Sequence, residues 1–336
     1  MGEKRGKDRG ERGTKVGAGT SECTQTRADR YASGVLEKLI KLDTSQKIFF
    51  VSIRRGAESK SLSISRGYAR SKRLYIMISL TLTKSQLAAC IDHSVLQPQL
   101  TVDEARSAIL LGRELGAASC CVRPSDVKMA AELLEGSKTA VSTVIGFPHG
   151  ATTTETKVFE ARQAISAGAV ELDLVLNIAR LRSGDADYVL KDIEAVVAEC
   201  SARPGSFVKV ILENAYLSDD QKREGCRISE RAGAAFVKTS TGFAVIAADS
   251  GKSAGATIPD LLLMRESVSP SIRVKAAGGV RTLDAMLEVL GAGAVRVGAT
   301  ATRAILDEFV KRVGEEGVLH VGGKKEGGGG GVGGGY

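Results

Sequence analysis

GAASCCV (116–122), GAVELDLVL (168–176), GAAFVKTS (233–240) and GAVRVG (293–298) share one design. A Gly-Ala step ends one element, and an apolar run rich in strand-forming residues begins at once. Glycine takes the left-handed conformation that closes a helix, and alanine lets the chain pack closely into the next strand. Comparable runs lie between and around these four: LAACI ending at Ile91, VSTVI at Ile145, VKVIL at Leu212 and IRVKA at Ala276. That makes eight runs, whose ends fall 22 to 36 residues apart. A strand with its crossover helix needs about 30 residues. Runs apolar on both faces suit parallel strands covered by helices.

Helix-start signals fall between the runs. Thr101-Val-Asp-Glu104 and Thr152-Thr-Thr-Glu155 read as capping boxes, and Ser125, Ser218 and Thr282 as simpler N-caps. Eight βα units from about residue 86 to 313 predict a (β/α)8 TIM barrel. An open doubly wound sheet is the alternative, but usually has fewer strands.

Outside the repeat the composition changes. The 336-residue chain carries a formal charge of +8, which invites a nucleic-acid reading. Residues 1–82, however, hold 18 Lys/Arg against 8 Asp/Glu, and 83–336 hold 29 against 31. The basic excess therefore belongs to an extension, and the remainder is nearly balanced. The opening 22 residues are polar, Gly-rich and without apolar period, so the extension 1–82 is expected to be largely disordered, with short apolar runs at 48–53 and 74–82. Domain boundaries are set at 83–313 for the barrel and 314–336 for a flexible Gly-rich tail. Met77 lies just before the barrel, and residues 1–76 are expected to be absent from the cellular protein. Peptides upstream of Met77 in the native protein would refute this. No stretch of 18 apolar residues appears, so no membrane partner is expected. Six cysteines without framework spacing and no secretory signal point to free thiols and a cytoplasmic location. Adjacent Cys120 and Cys121 read as packing residues, since strand neighbours point to opposite faces.

Barrel active sites lie at the C-terminal ends of strands. Charged residues inside or just after the apolar runs are therefore the candidates: Asp92, Asp173, Lys238 and Lys275. A desolvated lysine has a lowered pKa, and its neutral amine can form a Schiff base. Taken alone, Lys238 reads equally well as a lysine paired with a carboxylate inside the barrel. Lys275, on the neighbouring run, changes this, because a nearby cation lowers the pKa further. Asp173 offers an acid/base carboxylate, and its end-of-strand position favours it over Glu171, which shares its parity. Glycine-rich turns follow the last three runs: Thr239-Ser-Thr-Gly242, Ala277-Gly278-Gly279 and Gly298-Ala-Thr300. Backbone N–H groups in such turns, and a helix expected to start near Thr300, suit a phosphate.

VIGFPHGATTTETKVFEARQAISAGAVELDLVLNIARLRSGD, VKVILE, FVKTSTGF and VKAAGGVRT together resemble the deoxyribose-phosphate aldolase family, from about Leu87 to Val313. The resemblance implies a metal-free, cofactor-free class I aldolase on a TIM barrel. Its members cleave 2-deoxyribose 5-phosphate reversibly to glyceraldehyde 3-phosphate and acetaldehyde. It implies Lys238 as the Schiff-base lysine, Lys275 as the second lysine, Asp173 as proton handler with a water, and Asp92 as support near Lys275. Thr241, Gly242, Gly278, Gly279, Gly298 and Thr300 would hold the phosphorylated sugar, and the assembly would be a homodimer. Gln97 stands where the family often has lysine, and Ser94 where it has threonine. The last turn reads Gly298-Ala-Thr300-Ala301 instead of Gly-Ala-Ser-Ser. Segment 244–254, AVIAADSGKSA, is longer than usual and lies on the phosphate side, which makes Lys252 a candidate contact and the loop a candidate lid.

Overall fold

The computed structural model describes residues 49–53, 62–66, 80–247 and 253–321. The expected start at Met77, the disorder of the first residues, Lys252 and the tail 322–336 lie outside them. Within the extension, β1 (Phe49–Ile53) pairs antiparallel with β2 (Leu62–Arg66). Then follow β3 (Leu80–Leu82), α1 (Lys84–Ala88), β4 (Ile91–Val95), α2 (Val102–Glu114), β5 (Ser119–Val122), α3 (Val127–Leu134), β6 (Ala140–Ile145) and α4 (Thr154–Ser166). The chain continues through β7 (Glu171–Val175), α5 (Ile178–Arg182), α6 (Ala186–Ser201), β8 (Phe207–Ile211), α7 (Asp219–Arg231), β9 (Phe236–Lys238) and α8 (Ile258–Ser267). It ends with β10 (Arg273–Ala277), α9 (Leu283–Gly291), β11 (Arg296–Ala299), α10 (Thr302–Val313) and β12 (Leu319–Val321).

Strands β4 to β11 pair in parallel, in sequence order, and close into a barrel. The (β/α)8 expectation holds, and the open sheet is excluded. Gly116, Gly168, Gly233 and Gly293 all have positive φ, between 69° and 115°, where the helices give way to strands. Thr101, Ser218 and Thr282 cap their helices as read.

Three local readings are corrected. LAACI is not a strand: Thr83 and Gln86 form a capping box, α1 buries Leu87 and Ala88, and the strand begins at Ile91. The cap of α4 is Thr153, which accepts from Thr156 N–H, so the box through Glu155 does not form. Ser125 lies inside a 3-10 turn, Pro124–Asp126, ahead of α3 and caps nothing. The last helix, α10, begins at Thr302, after Ala301, near Thr300 as expected. Inside the expected tail, β12 pairs antiparallel with β3, and Thr81 Oγ1 meets His320 Nδ1 at 3.0 Å. Leu319 and Val321 alternate with His320, so the segment has a strand's period despite its Gly-rich surroundings.

The N-terminal end of the barrel is plugged by aromatic rings. Phe207 and Phe236 stack at 5.7 Å, and the Arg273 guanidinium lies 4.1 Å from the Phe236 centroid. Outside the barrel wall, Lys157 on α4 and Asp192 on α6 form a fully buried ion pair at 2.5 Å. Thr154 Oγ1 donates to the other Asp192 oxygen at 2.8 Å. Asp192→Ala should leave buried Lys157 without its ion-pair partner and cost about 3–5 kcal/mol. Urea unfolding measures this; a midpoint shift equivalent to under 1 kcal/mol would contradict it.

Candidate active site

The register brings the lysines together. Lys238 ends β9 and lies directly beside Lys275 on β10. Asp173 on β7 lies beside Lys209 on β8. Their side chains converge in the barrel interior, where Asp173 Oδ2 accepts from Lys238 Nζ at 2.6 Å and from Lys275 Nζ at 2.8 Å. Asp173 Oδ1 accepts from Lys209 Nζ at 2.8 Å. Asp92 on β4 meets Lys275 at 2.5 Å and Arg296 at 2.5 Å. Glu171, the carboxylate of shared parity, pairs with Lys209 at 2.6 Å and Arg296 at 2.7 Å instead.

The cluster thus joins Asp92, Glu171 and Asp173 to Lys209, Lys275, Arg296 and Lys238. With Lys238 neutral, the formal charges cancel. With Lys238 protonated, one ammonium is in excess in a buried cluster, which is costly. Burial pushes the Lys238 amine down, and the Lys275 charge adds to this against the pull of Asp173. Lys275 goes the other way: burial would lower it, but Asp173 and Asp92 raise it. Burial would raise Asp173, yet Lys209, Lys238 and Lys275 hold it well below the usual carboxylate range. A neutral Lys238 still donates one N–H to Asp173, which aims the nitrogen.

Lys209, Arg296 and Glu213 were not singled out from the sequence. Lys209 and Arg296 sit within apolar runs and Glu213 just after one, so the signal that marked Lys238 marks them too. Glu213 is the sole positive-φ residue other than glycine among the described residues, at φ 56°. Such backbone costs about 1–3 kcal/mol when glycine is not used. Its buried carboxylate accepts from Thr241 N–H at 3.2 Å and from the Thr241 hydroxyl. Burial pushes the Glu213 carboxyl up, against the Thr241 donors and the charges of Lys238 and His149.

At the C-terminal ends of β9 and β10 lies a cavity of about 490 Å³, which Lys238 and Lys275 do not line. Gly242, Gly278, Gly279, Gly255 and Arg281 line it. Gly278 has φ 82°, and a Cβ there would stand 2.9 Å from Gly255 Cα and 3.7 Å from Gly242 Cα. Thr241 is buried beside this wall, and Ser253 and Ala254, which follow 248–252, also line it. Gly298 and Thr300 do not. Gly298 lies against Lys275, where a Cβ would come 3.6 Å from Lys275 Cε, and Thr300 is exposed. Leu96, Cys121 and Val144 form a small apolar cluster with Phe147, whose ring meets Phe243 edge-on at 5.2 Å. Burial raises the Cys121 thiol, so it is a packing group here. The five described cysteines are free. Among the described residues no helix is long and apolar enough to cross a membrane, and no group of three or more His, Cys, Asp or Glu could hold a metal ion.

The chain is similar to known proteins in sequence and in fold. A family model described as DeoC/LacD family aldolase matches residues 83–308. A deoxyribose-phosphate aldolase of Caldanaerobacter subterraneus subsp. tengcongensis is 45% identical over 226 residues, 67% of this chain and 94% of the relative. One from Bacillus mycoides is 46% identical over 220 residues, 66% of this chain and 94% of the relative. A crystal structure of a protein described as a putative deoxyribose-phosphate aldolase from Coccidioides immitis superposes with a TM-score of 0.64 at 36% identity, covering 70% of this chain and 90% of that one. The deoxyribose phosphate aldolase of Aeropyrum pernix, described as having a unique tetrameric structure, gives 0.62 at 29% identity, covering 69% of this chain and 94% of that one. The chain belongs to the DeoC/LacD aldolase family.

Proposed function

We propose that the protein is a class I aldolase that cleaves 2-deoxyribose 5-phosphate reversibly to glyceraldehyde 3-phosphate and acetaldehyde. The observation that carries this is the shared oxygen, Asp173 Oδ2, which holds Lys238 and Lys275 at 2.6 and 2.8 Å. It supplies a neutral amine, a cation and a carboxylate at one point.

Lys238 Nζ attacks C1 of the open-chain sugar phosphate, and the carbinolamine loses water to give an iminium. A base takes the C3 hydroxyl proton, the C2–C3 bond breaks, and its electron pair moves to the iminium to give an enamine. Glyceraldehyde 3-phosphate departs. Protonation of the enamine carbon and addition of water release acetaldehyde and restore the amine. Asp173, with a water as relay, moves the protons, and Lys275 keeps Lys238 neutral. Asp92 and Lys209 hold Lys275 and Asp173 in place. The phosphate rests on Thr241, Gly242, Gly278 and Gly279, with Gly298 and Thr300 nearer the β11 end. Arg281, on the cavity wall, adds a cation.

A coupled assay reading glyceraldehyde 3-phosphate release from 2-deoxyribose 5-phosphate tests the reading; no release above background would sink it. Gly278→Ala places a methyl in left-handed backbone against Gly255. It should raise KM for the phosphorylated substrate about tenfold, or about 1.4 kcal/mol, with a smaller change in kcat. Initial-rate kinetics decide it, and an unchanged KM would remove Gly278 from the phosphate site. The reading includes a homodimer and a cytoplasmic location; light scattering distinguishes the dimer from a tetramer like that described for the Aeropyrum pernix relative.

A further inference from the structure

We infer that Glu213 is a positioning residue, which shapes the turn after β9 so that it grips the phosphorylated end of the substrate. The inference rests on the proposed aldolase reading. Three observations meet at this residue.

The first is backbone. Leu212 N–H donates to Lys238 O at 2.9 Å and Asn214 N–H to Thr239 O at 3.0 Å. The chain stays tied to the end of β9 on both sides of Glu213, while Glu213 itself takes φ 56° and ψ 63°. A strained non-glycine conformation persists only where surrounding contacts hold it, and such residues cluster at functional sites.

The second is the carboxylate. It is 1% exposed and has no lysine or arginine ion-paired to it among the described residues. Its donors are the Thr241 backbone N–H and hydroxyl. The Thr241 oxygen also accepts from Phe243 N–H at 3.0 Å. One carboxylate therefore sets both ends of the Thr241–Phe243 turn. Gly242 sits at its tip, at φ 86°, on the wall of the cavity.

The third is a neighbouring clip. Tyr216, two residues beyond Asn214, exchanges hydrogen bonds with Val245: its hydroxyl accepts from Val245 N–H at 3.1 Å and meets Val245 O at 3.4 Å. The short segment after β8 thus holds the segment after β9 at two places. Among the described residues, the Glu213 carboxylate makes no hydrogen bond to the lysine cluster; its donors are on Thr241. Its effect reaches the substrate through the turn.

The experiment compares 2-deoxyribose 5-phosphate with 2-deoxyribose, using wild-type protein and Glu213→Gln. Glutamine keeps the size and one acceptor, but turns an N–H₂ group toward one of the Thr241 donors. The ratio of kcat/KM for the phosphorylated over the free sugar should fall about tenfold, mainly through KM for the phosphorylated sugar. Thr241→Val should lower the same ratio, and the double variant should fall no further than the worse single one. A general loss of structure would lower both substrates together and leave the ratio in place, and that outcome overturns the inference. Additive losses in the double variant also overturn it, because the two residues would then act separately. Failure of the wild-type protein to cleave the phosphorylated sugar refutes the aldolase reading, which no result on Glu213 can do.

Discussion

Replacing Lys238 by alanine is expected to abolish cleavage of 2-deoxyribose 5-phosphate, with a loss on the order of 10⁴-fold or more, the scale seen when a covalent nucleophile is removed. Lys238 is 3% exposed, and its nitrogen donates to Asp173 Oδ2. The other two lysines of the cluster are not poised to take over. Lys275 is drawn toward its charged form by two carboxylates. Lys209 is held by Asp173, Glu171 and Asp92 at 2.8, 2.6 and 3.5 Å. The fold should survive, because removing Lys238 leaves three cations facing three carboxylates in the cluster. Borohydride added with substrate should leave a stable adduct on Lys238 of the wild-type protein. The alanine variant should gain no such mass. A trapped adduct on another lysine, or cleavage at the normal rate, would remove Lys238 from the reaction.

Lys275→Leu should act through Lys238 and show itself in the pH profile. The amine must be neutral to attack, so activity falls as the pH drops below its pKa. Lys275 lowers that pKa by repulsion, at a site where Asp173 raises it. Removing the cation therefore moves the acid limb of kcat/KM to higher pH. The higher that pKa goes, the smaller the fraction of neutral amine left at pH 7. Raising the pH should recover part of the lost rate, which a purely structural defect would not do. The same substitution leaves Asp92 with Arg296 and the more distant Lys209, so some loss of thermal stability accompanies it. An acid limb that stays where it is in the wild-type protein would contradict the coupling between the two lysines.

The barrel was legible because strands buried on both faces must be apolar along their whole length, while helix ends need caps and glycines. Both requirements recur about every 30 residues and so rise above local noise. Legibility failed where two signals overlap. LAACI is apolar enough for a strand, but Thr83 and Gln86 satisfy the first helical N–H groups and claim Leu87 and Ala88 for α1. Around Thr152–Thr154, three consecutive threonines could each cap; Thr153 does so, and the Thr154 hydroxyl goes to Asp192 instead.

Sequence by itself determined the closed βα architecture, and it marked Asp92, Asp173, Lys238 and Lys275, since a charge in a two-sided apolar run has no cheap place to go. It did not determine how those charges are divided. Lys209 and Arg296 carry the same mark, yet they answer Glu171, Asp92 and Asp173 and so balance the interior, leaving Lys238 as the amine without a counter-charge of its own. Only the strand register decided this, because it sets which of seven ionisable side chains meet within about 3 Å, where a Coulomb interaction in a dry interior outweighs any single-residue preference. The register likewise set Glu213 beneath Thr241, across a gap of 28 residues, and separated Gly242, Gly278 and Gly279 on the cavity wall from Gly298 beside Lys275.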